Sequence, residues 1–345
     1  MITYLGLFFS LLFLQARDPE PDFMTLVILE GVKRDKGIEL PPHIKESLIE
    51  EFKSFAADEP VPLDKVHYEG LLNTHPDRVK TVIHLEDMDK LAIFYWHHAV
   101  FLDKASLDKM KTFALAWVNT YIPDGNPIND NKFMPVIYAY HYLKPHLSFA
   151  EDEIYVDWMT QMAKREIQRE KVPLNNWETK RINLVGTIAL LTGNAGYSEW
   201  ALNQFRYYID NALYSDGTSS DIKQRDALSY HVSAMKPLLQ FMITMDFFEK
   251  DKPKNLLSFE GENGGSLIKS LDYILPYATG DQVYYQWKNS KVKLDHERAK
   301  AGIEKYQPGT PYKAEDAHEA LALASWFDEK YRIDACDLIL CHLLR

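Results

Sequence analysis

Cysteine is almost missing from this chain: only Cys336 and Cys341 occur among 345 residues. No Cys-x2-Cys unit or His/Cys cluster accompanies them, which leaves no zinc-ligand spacing. If the tail is helical, residues five apart lie ~140° apart around the axis. That is poor geometry for a bridge, so two free thiols are expected. Strand-like alternation is scarce, with Val283 to Trp287 the best candidate for a short hairpin arm. No glycine-rich phosphate loop is present. No segment approaches the ~18 apolar residues of a spanning helix, so the mature chain is expected to have no membrane span. Nor is there a basic stripe. Lys and Arg number 39 against 50 Asp and Glu, a net charge of −11, which argues against a nucleic-acid partner.

What is present is apolar content of 46% and aromatic content of 13%, ample for a large core. From Pro41 onward the apolar positions follow helical spacing. Leu107, Met110, Phe113, Ala114, Trp117 and Tyr121 give one unbroken face. Similar stretches are expected near 131–145, 150–169, 176–192, 196–213, 226–249, 265–276, 313–330 and 333–344. Short loops with Gly, Pro, Asn and Asp punctuate them. The expectation is an all-α fold of roughly ten to twelve helices, as a solenoid or a toroid; no fixed-period repeat supports a regular array. At the start, Tyr4 to Gln15 form a short apolar run ending at Ala16. It reads as the core of a secretory signal. The expected organisation is a signal peptide over 1–16, an extended segment over 17–40 and one domain over 41–345, secreted or periplasmic.

The chemistry is concentrated between Asp216 and Leu239. An Asp-Gly turn precedes Arg225 and Asp226; Tyr230 and His231 follow at the start of an apolar-periodic helix. Two readings of these residues stay open. One is an ordinary helix start, with Asp226 as a first-turn acid and Tyr230 and His231 partly buried. The other is a site that binds an anion and moves a proton.

Three motifs shift the balance toward the second. Asp216-Gly217, Arg225 and Ala227-Leu228-Ser229-Tyr230-His231, followed by Pro237-Leu238-Leu239, form the first. Asn175-Asn176-Trp177 opens a helix in the second. Pro123-Asp124-Gly125-Asn126-Pro127-Ile128-Asn129 is the third. In order and spacing they resemble the hallmark segments of the alginate lyase superfamily, polysaccharide lyase families 5 and 38 above all. The resemblance implies an incomplete (α/α) toroid and a lyase that cleaves a uronic-acid polymer, alginate or glucuronan-like, by β-elimination. It frames residues 60 to 310. One departure stands out: family 5 carries a catalytic His where this chain has Trp177.

Such a lyase must neutralise a uronate carboxylate, abstract the C5 proton and protonate the leaving O4. Amides and a guanidinium meet the first need without a metal, so no cofactor is expected. Arg225 is shaped for a carboxylate and would favour a nearby phenolate; Tyr230 is then the base and acid. Asn176 is the expected carboxylate neutraliser. His231 is a proton-transfer candidate or a satisfied core histidine. Asn175, Trp177, Lys180, Asn129 and Tyr285 are expected at the substrate, although Asn175 with Glu178 also reads as a capping box, Asn126 and Asn129 as turn formers and Lys180 as a surface lysine. Lys180, Arg181, Lys223, Arg225, Lys291 and Lys293 are candidates for a local basic cleft in an acidic protein. Two rivals remain: a toroidal glycoside hydrolase, with acids drawn from Asp216, Asp221 or Asp226, and a non-catalytic carbohydrate-binding protein. The partner in every case is a polysaccharide; oligomeric state is not legible.

Overall fold

The computed structural model describes residues 42–249 and 253–333. The signal-peptide and extended-segment expectations, the 333–344 helix apart from its first residue, and both cysteines lie outside the described residues. The helices are α1 (Pro42–Phe55), α2 (Pro76–Phe101), α3 (Lys104–Thr120), the single turn α4 (Pro127–Asp130), α5 (Met134–Leu143), α6 (Phe149–Gln168) and α7 (Asn176–Thr192). They continue with α8 (Ala195–Ala212), the short α9 (Ser220–Arg225), α10 (Leu228–Phe248), α11 (Lys254–Leu257), α12 (Leu267–Ala278), α13 (Lys293–Lys300) and α14 (His318–Ser325). The one sheet among the described residues pairs β1 (Tyr285–Gln286) antiparallel with β2 (Thr310–Pro311).

Helices that follow one another in sequence pack on one another, α2 on α3, α6 on α7, α7 on α8. The connections that join them are short: Asn194 alone separates the Gly193 cap of α7 from α8. Successive helix pairs stack in this way into an incomplete (α/α) toroid. Its centre is α7 against α10. Gly186 of α7 makes that approach possible, because a Cβ there would sit 2.2 Å from the Phe241 ring. A continuous core runs through Trp117, Phe133, Tyr155, Ile188, Phe205 and Leu238.

Caps fix the helix starts that matter for the site. Asn175 accepts a 3.0 Å hydrogen bond from the Trp177 main-chain N–H, so α7 begins at Asn176. Asp226 breaks the expected 226–249 helix. It adopts a left-handed φ of 50° as the C-cap of α9, and α10 starts only at Leu228. Asp226 is thus a corner, not a first-turn acid. Gly217, at φ +80°, makes the turn before α9, where a Cβ would meet the Lys269 carbonyl at 2.5 Å.

Candidate active site

The three motifs converge. Ser220 Oγ at the start of α9 donates to the Leu174 carbonyl, joining the first motif to the approach of α7. Arg169 donates to the Gly125 carbonyl at 2.8 Å and lies 5.3 Å from the Trp177 ring, joining the third motif to the second. Asn129 of α4 accepts from the Tyr68 and Glu69 N–H groups at 3.3 and 3.1 Å and so holds the 66–69 strand of loop beside them.

Tyr230 is the focus. Its hydroxyl accepts a 2.9 Å hydrogen bond from Arg298 Nη1, which also reaches the Tyr306 hydroxyl at 3.0 Å. The Arg225 guanidinium lies over the Tyr230 ring, 4.0 Å from its centroid. Trp287 meets that ring edge-on at 5.7 Å. Arg225 is itself held by a 2.7 Å bond to Asp295, whose other oxygen accepts from Ser290 Oγ at 2.8 Å. The phenol is therefore fixed on its face, edge and hydroxyl, while remaining half-exposed.

The arm expected between Gln282 and Lys293 supplies part of this frame. Asp226 stitches it down. The Asp226 carboxylate accepts from the Tyr284 hydroxyl at 2.7 Å and from the Asn289 main-chain N–H at 2.9 Å. Its main-chain carbonyl accepts from the Trp287 N–H at 2.8 Å. Gln286 Oε1 in turn receives the free Ser229 N–H at the start of α10. Trp287 is buried by this arrangement, and Tyr285 remains 50% exposed with Lys288 over its ring.

The remaining candidates divide. Asn176 stands at the first position of α7 and is buried, as is Lys180 one turn on. Asn175 is the cap, but the expected capping box is incomplete: Glu178 turns away to a buried 2.9 Å ion pair with Arg181. Arg181 is thereby committed to the core. Lys223 pairs with Asp216 at 2.9 Å, and Lys293 with Glu297 on the surface. His231, on the inner side of α10, is fully buried between Ser219 Oγ at 2.7 Å and the Ser270 carbonyl. Burial pushes its imidazole down to about 4, so it is neutral. These surroundings are those of a satisfied core histidine that positions the α9 loop. Asn129 is likewise a loop anchor.

Two cations were not among the candidates, Arg298 and Arg169. Both face Glu69, as does Arg225; burial raises the Glu69 carboxyl and the three guanidiniums oppose that rise. Three arginines acting on one acid give this locality a basic balance inside an acidic chain. The hydrolase alternative loses two of its three carboxylates: Asp226 is the corner and Asp216 is tied into its own turn by Thr218 and Lys223. Among the described residues no group of three His, Cys, Asp or Glu has the arrangement of a metal site.

Comparison with known proteins agrees with this architecture. No curated protein sequence matches the chain. Among solved structures, an alginate lyase from Bacteroides ovatus superposes with a TM-score of 0.62 at 16% identity, covering 92% of this chain and 93% of that one. Alginate lyase A1-III from Sphingomonas species A1 gives 0.55 at 15% identity, over 77% and 83%. A variant of A1-III complexed with a tetrasaccharide gives 0.58 at 15%, over 94% and 95%. At such identities the likeness is one of fold. The sequence itself goes further: residues 43–284 match the alginate lyase family model, and the chain belongs to that family of polysaccharide lyases.

Proposed function

We propose that the chain cleaves a uronic-acid polymer by β-elimination, with alginate the first substrate to test and a glucuronan-like polymer the second. The observation that carries the mechanism is the Tyr230 hydroxyl held at 2.9 Å by Arg298 while Arg225 covers the ring. The Arg298 hydrogen bond and the Arg225 face contact fix the phenol oxygen where it can exchange a proton with the substrate. Tyr230 then removes the C5 proton and returns a proton to O4 of the departing sugar. Asn176, at the positive end of α7, and Arg225 receive the uronate carboxylate. Trp177 and the exposed Tyr285 offer faces for sugar rings. Family membership and the tetrasaccharide complex of A1-III support a polysaccharide in this cleft.

This chemistry draws on amides, guanidiniums and a phenol alone. The experiment is incubation with alginate and with a glucuronan, followed at ~235 nm, where the unsaturated elimination product absorbs. A rise in absorbance with new chain ends supports elimination. New reducing ends without absorbance would mean hydrolysis, and neither would mean binding only. The export expectation from residues 1–16 completes the reading: a secreted or periplasmic enzyme meets its polymer outside the cytoplasm. N-terminal sequencing of protein recovered from outside the cytoplasm tests it, with cleavage after Ala16 the expected result.

A further inference from the structure

Asp221 is unlike every other acid near the cleft. It sits in the first turn of α9, one helical turn before Arg225. It is 1% exposed, and neither carboxylate oxygen has a hydrogen-bond partner. The Ser220 contact to Leu174 seats this turn of α9 against the start of α7. From each surrounding element one group faces Asp221: Arg225 on α9 itself, the Asn176 main-chain N–H on α7, and Asp295 on α13. The Tyr208 hydroxyl of α8, also buried without a partner, completes the surroundings. The Asn176 N–H faces the carboxyl electrostatically without meeting hydrogen-bond geometry.

This position lies between Asn176 and Arg225, the two groups assigned above to the uronate carboxylate. With Asp221 ionised, Asp221 and Asp295 offset Arg225 and Arg298, which also acts on Asp295, and no positive charge is left over. An entering uronate then adds an unbalanced negative charge. With Asp221 neutral, Asp295 offsets only one of the two guanidiniums, and the substrate carboxylate meets one uncompensated positive charge. A buried carboxylate without hydrogen bonds also favours its neutral form.

Building on the lyase reading, we propose that Asp221 is a proton-linked positioning residue, which takes up one proton from solvent as the substrate carboxylate docks between Asn176 and Arg225. Burial sets its carboxyl at about 7 in the free protein, with Asp295 adding to the rise and Arg225 opposing it. The linkage is therefore felt near neutral pH. Substrate binding weakens as pH rises and the proton becomes harder to acquire.

Two measurements test this. The first is kcat and KM for alginate against pH in the wild type, Asp221→Asn and Asp221→Glu. The wild-type KM should climb above about pH 7, approaching about tenfold per unit, the limit for one linked proton. Asp221→Asn should flatten that climb while leaving the pH profile of kcat in shape, and Asp221→Glu should restore it. The second uses Tyr230→Phe, a full-length protein slow enough to bind oligouronate without consuming it. Calorimetry near pH 7 in buffers of differing ionisation enthalpy should show net proton uptake on binding. An Asp221→Asn enzyme with the wild-type KM climb, or binding with no buffer dependence, would overturn the proposal. If no uronan gives elimination product at all, the lyase reading fails instead, and the calorimetric result still stands by itself.

Discussion

Arg298 of α13 holds the phenol of Tyr230 in α10 across 68 residues of chain, through a 2.9 Å hydrogen bond to its oxygen. The bond ties the phenol to a helix outside the motif that carries it. The Arg298 donor is shared with Tyr306, so the guanidinium plane is fixed by two phenols. Replacing Arg298 by Ala should lower kcat by about 10²-fold, the scale of a lost charge-assisted contact at the reacting group. Arg298→Lys should recover part of the rate, since it keeps charge but not the fork. Steady-state kinetics over pH, with melting temperature as a control, decides the matter.

Glu69 feels the same arginines. Its carboxyl is raised by burial and held down by Arg298, Arg169 and Arg225. A negative side chain there competes with a negative substrate. Glu69→Gln should lower KM for alginate, by about two- to fivefold at low salt, the magnitude of a partly screened charge pair. An unchanged or higher KM would show that Glu69 helps to hold the arginines rather than opposing the substrate.

An acid pair, Asp130 and Glu166, lies behind the Gly125 turn. Asp130 is buried and accepts from the Tyr121 hydroxyl at 2.5 Å and the Gly125 N–H at 2.9 Å. Glu166 beside it is buried too, and burial followed by the charge of Asp130 raises its carboxyl far above the ordinary range. The sign follows from linkage. A raised acid keeps its proton in the folded state after the unfolded chain has released it, so folding stability falls as pH climbs through and beyond ~4.5. Glu166→Gln should remove that slope. Denaturant unfolding at about pH 5 and about pH 8 should show the variant gaining on the wild type at the higher pH.

How much of this was legible without coordinates depends on whether a segment buries an apolar face. Helix α7 was read at its true bounds, because a cap and an unbroken apolar run define it. Tyr230 and Arg225 were found through their motif, and the structure brings them together. Arg298 was not found. Its helix, Lys-Leu-Asp-His-Glu-Arg-Ala-Lys, is polar nearly all round and gives no periodic signal. Arg169 escaped for a related reason: it caps a helix end and serves a loop. The break at Asp226 was hidden because a left-handed corner leaves the apolar spacing on either side intact. Sequence also could not rank neighbours: Tyr230 and His231 are adjacent, yet the turn of α10 sends one toward the cleft and the other into the core.

The most direct test of the central claim is Tyr230→Phe. The substitution keeps the ring that Arg225 covers and Trp287 abuts, and removes only the hydroxyl that Arg298 holds. Stability should change by no more than about 1.5–3 kcal/mol, the usual contribution of a hydrogen bond to a charged group. Turnover on alginate, followed by the absorbance of unsaturated ends, should fall by about 10²-fold or more with substrate binding preserved. A folded Tyr230→Phe protein that turns over alginate near the wild-type rate would contradict the assignment of Tyr230 as the proton-transfer group.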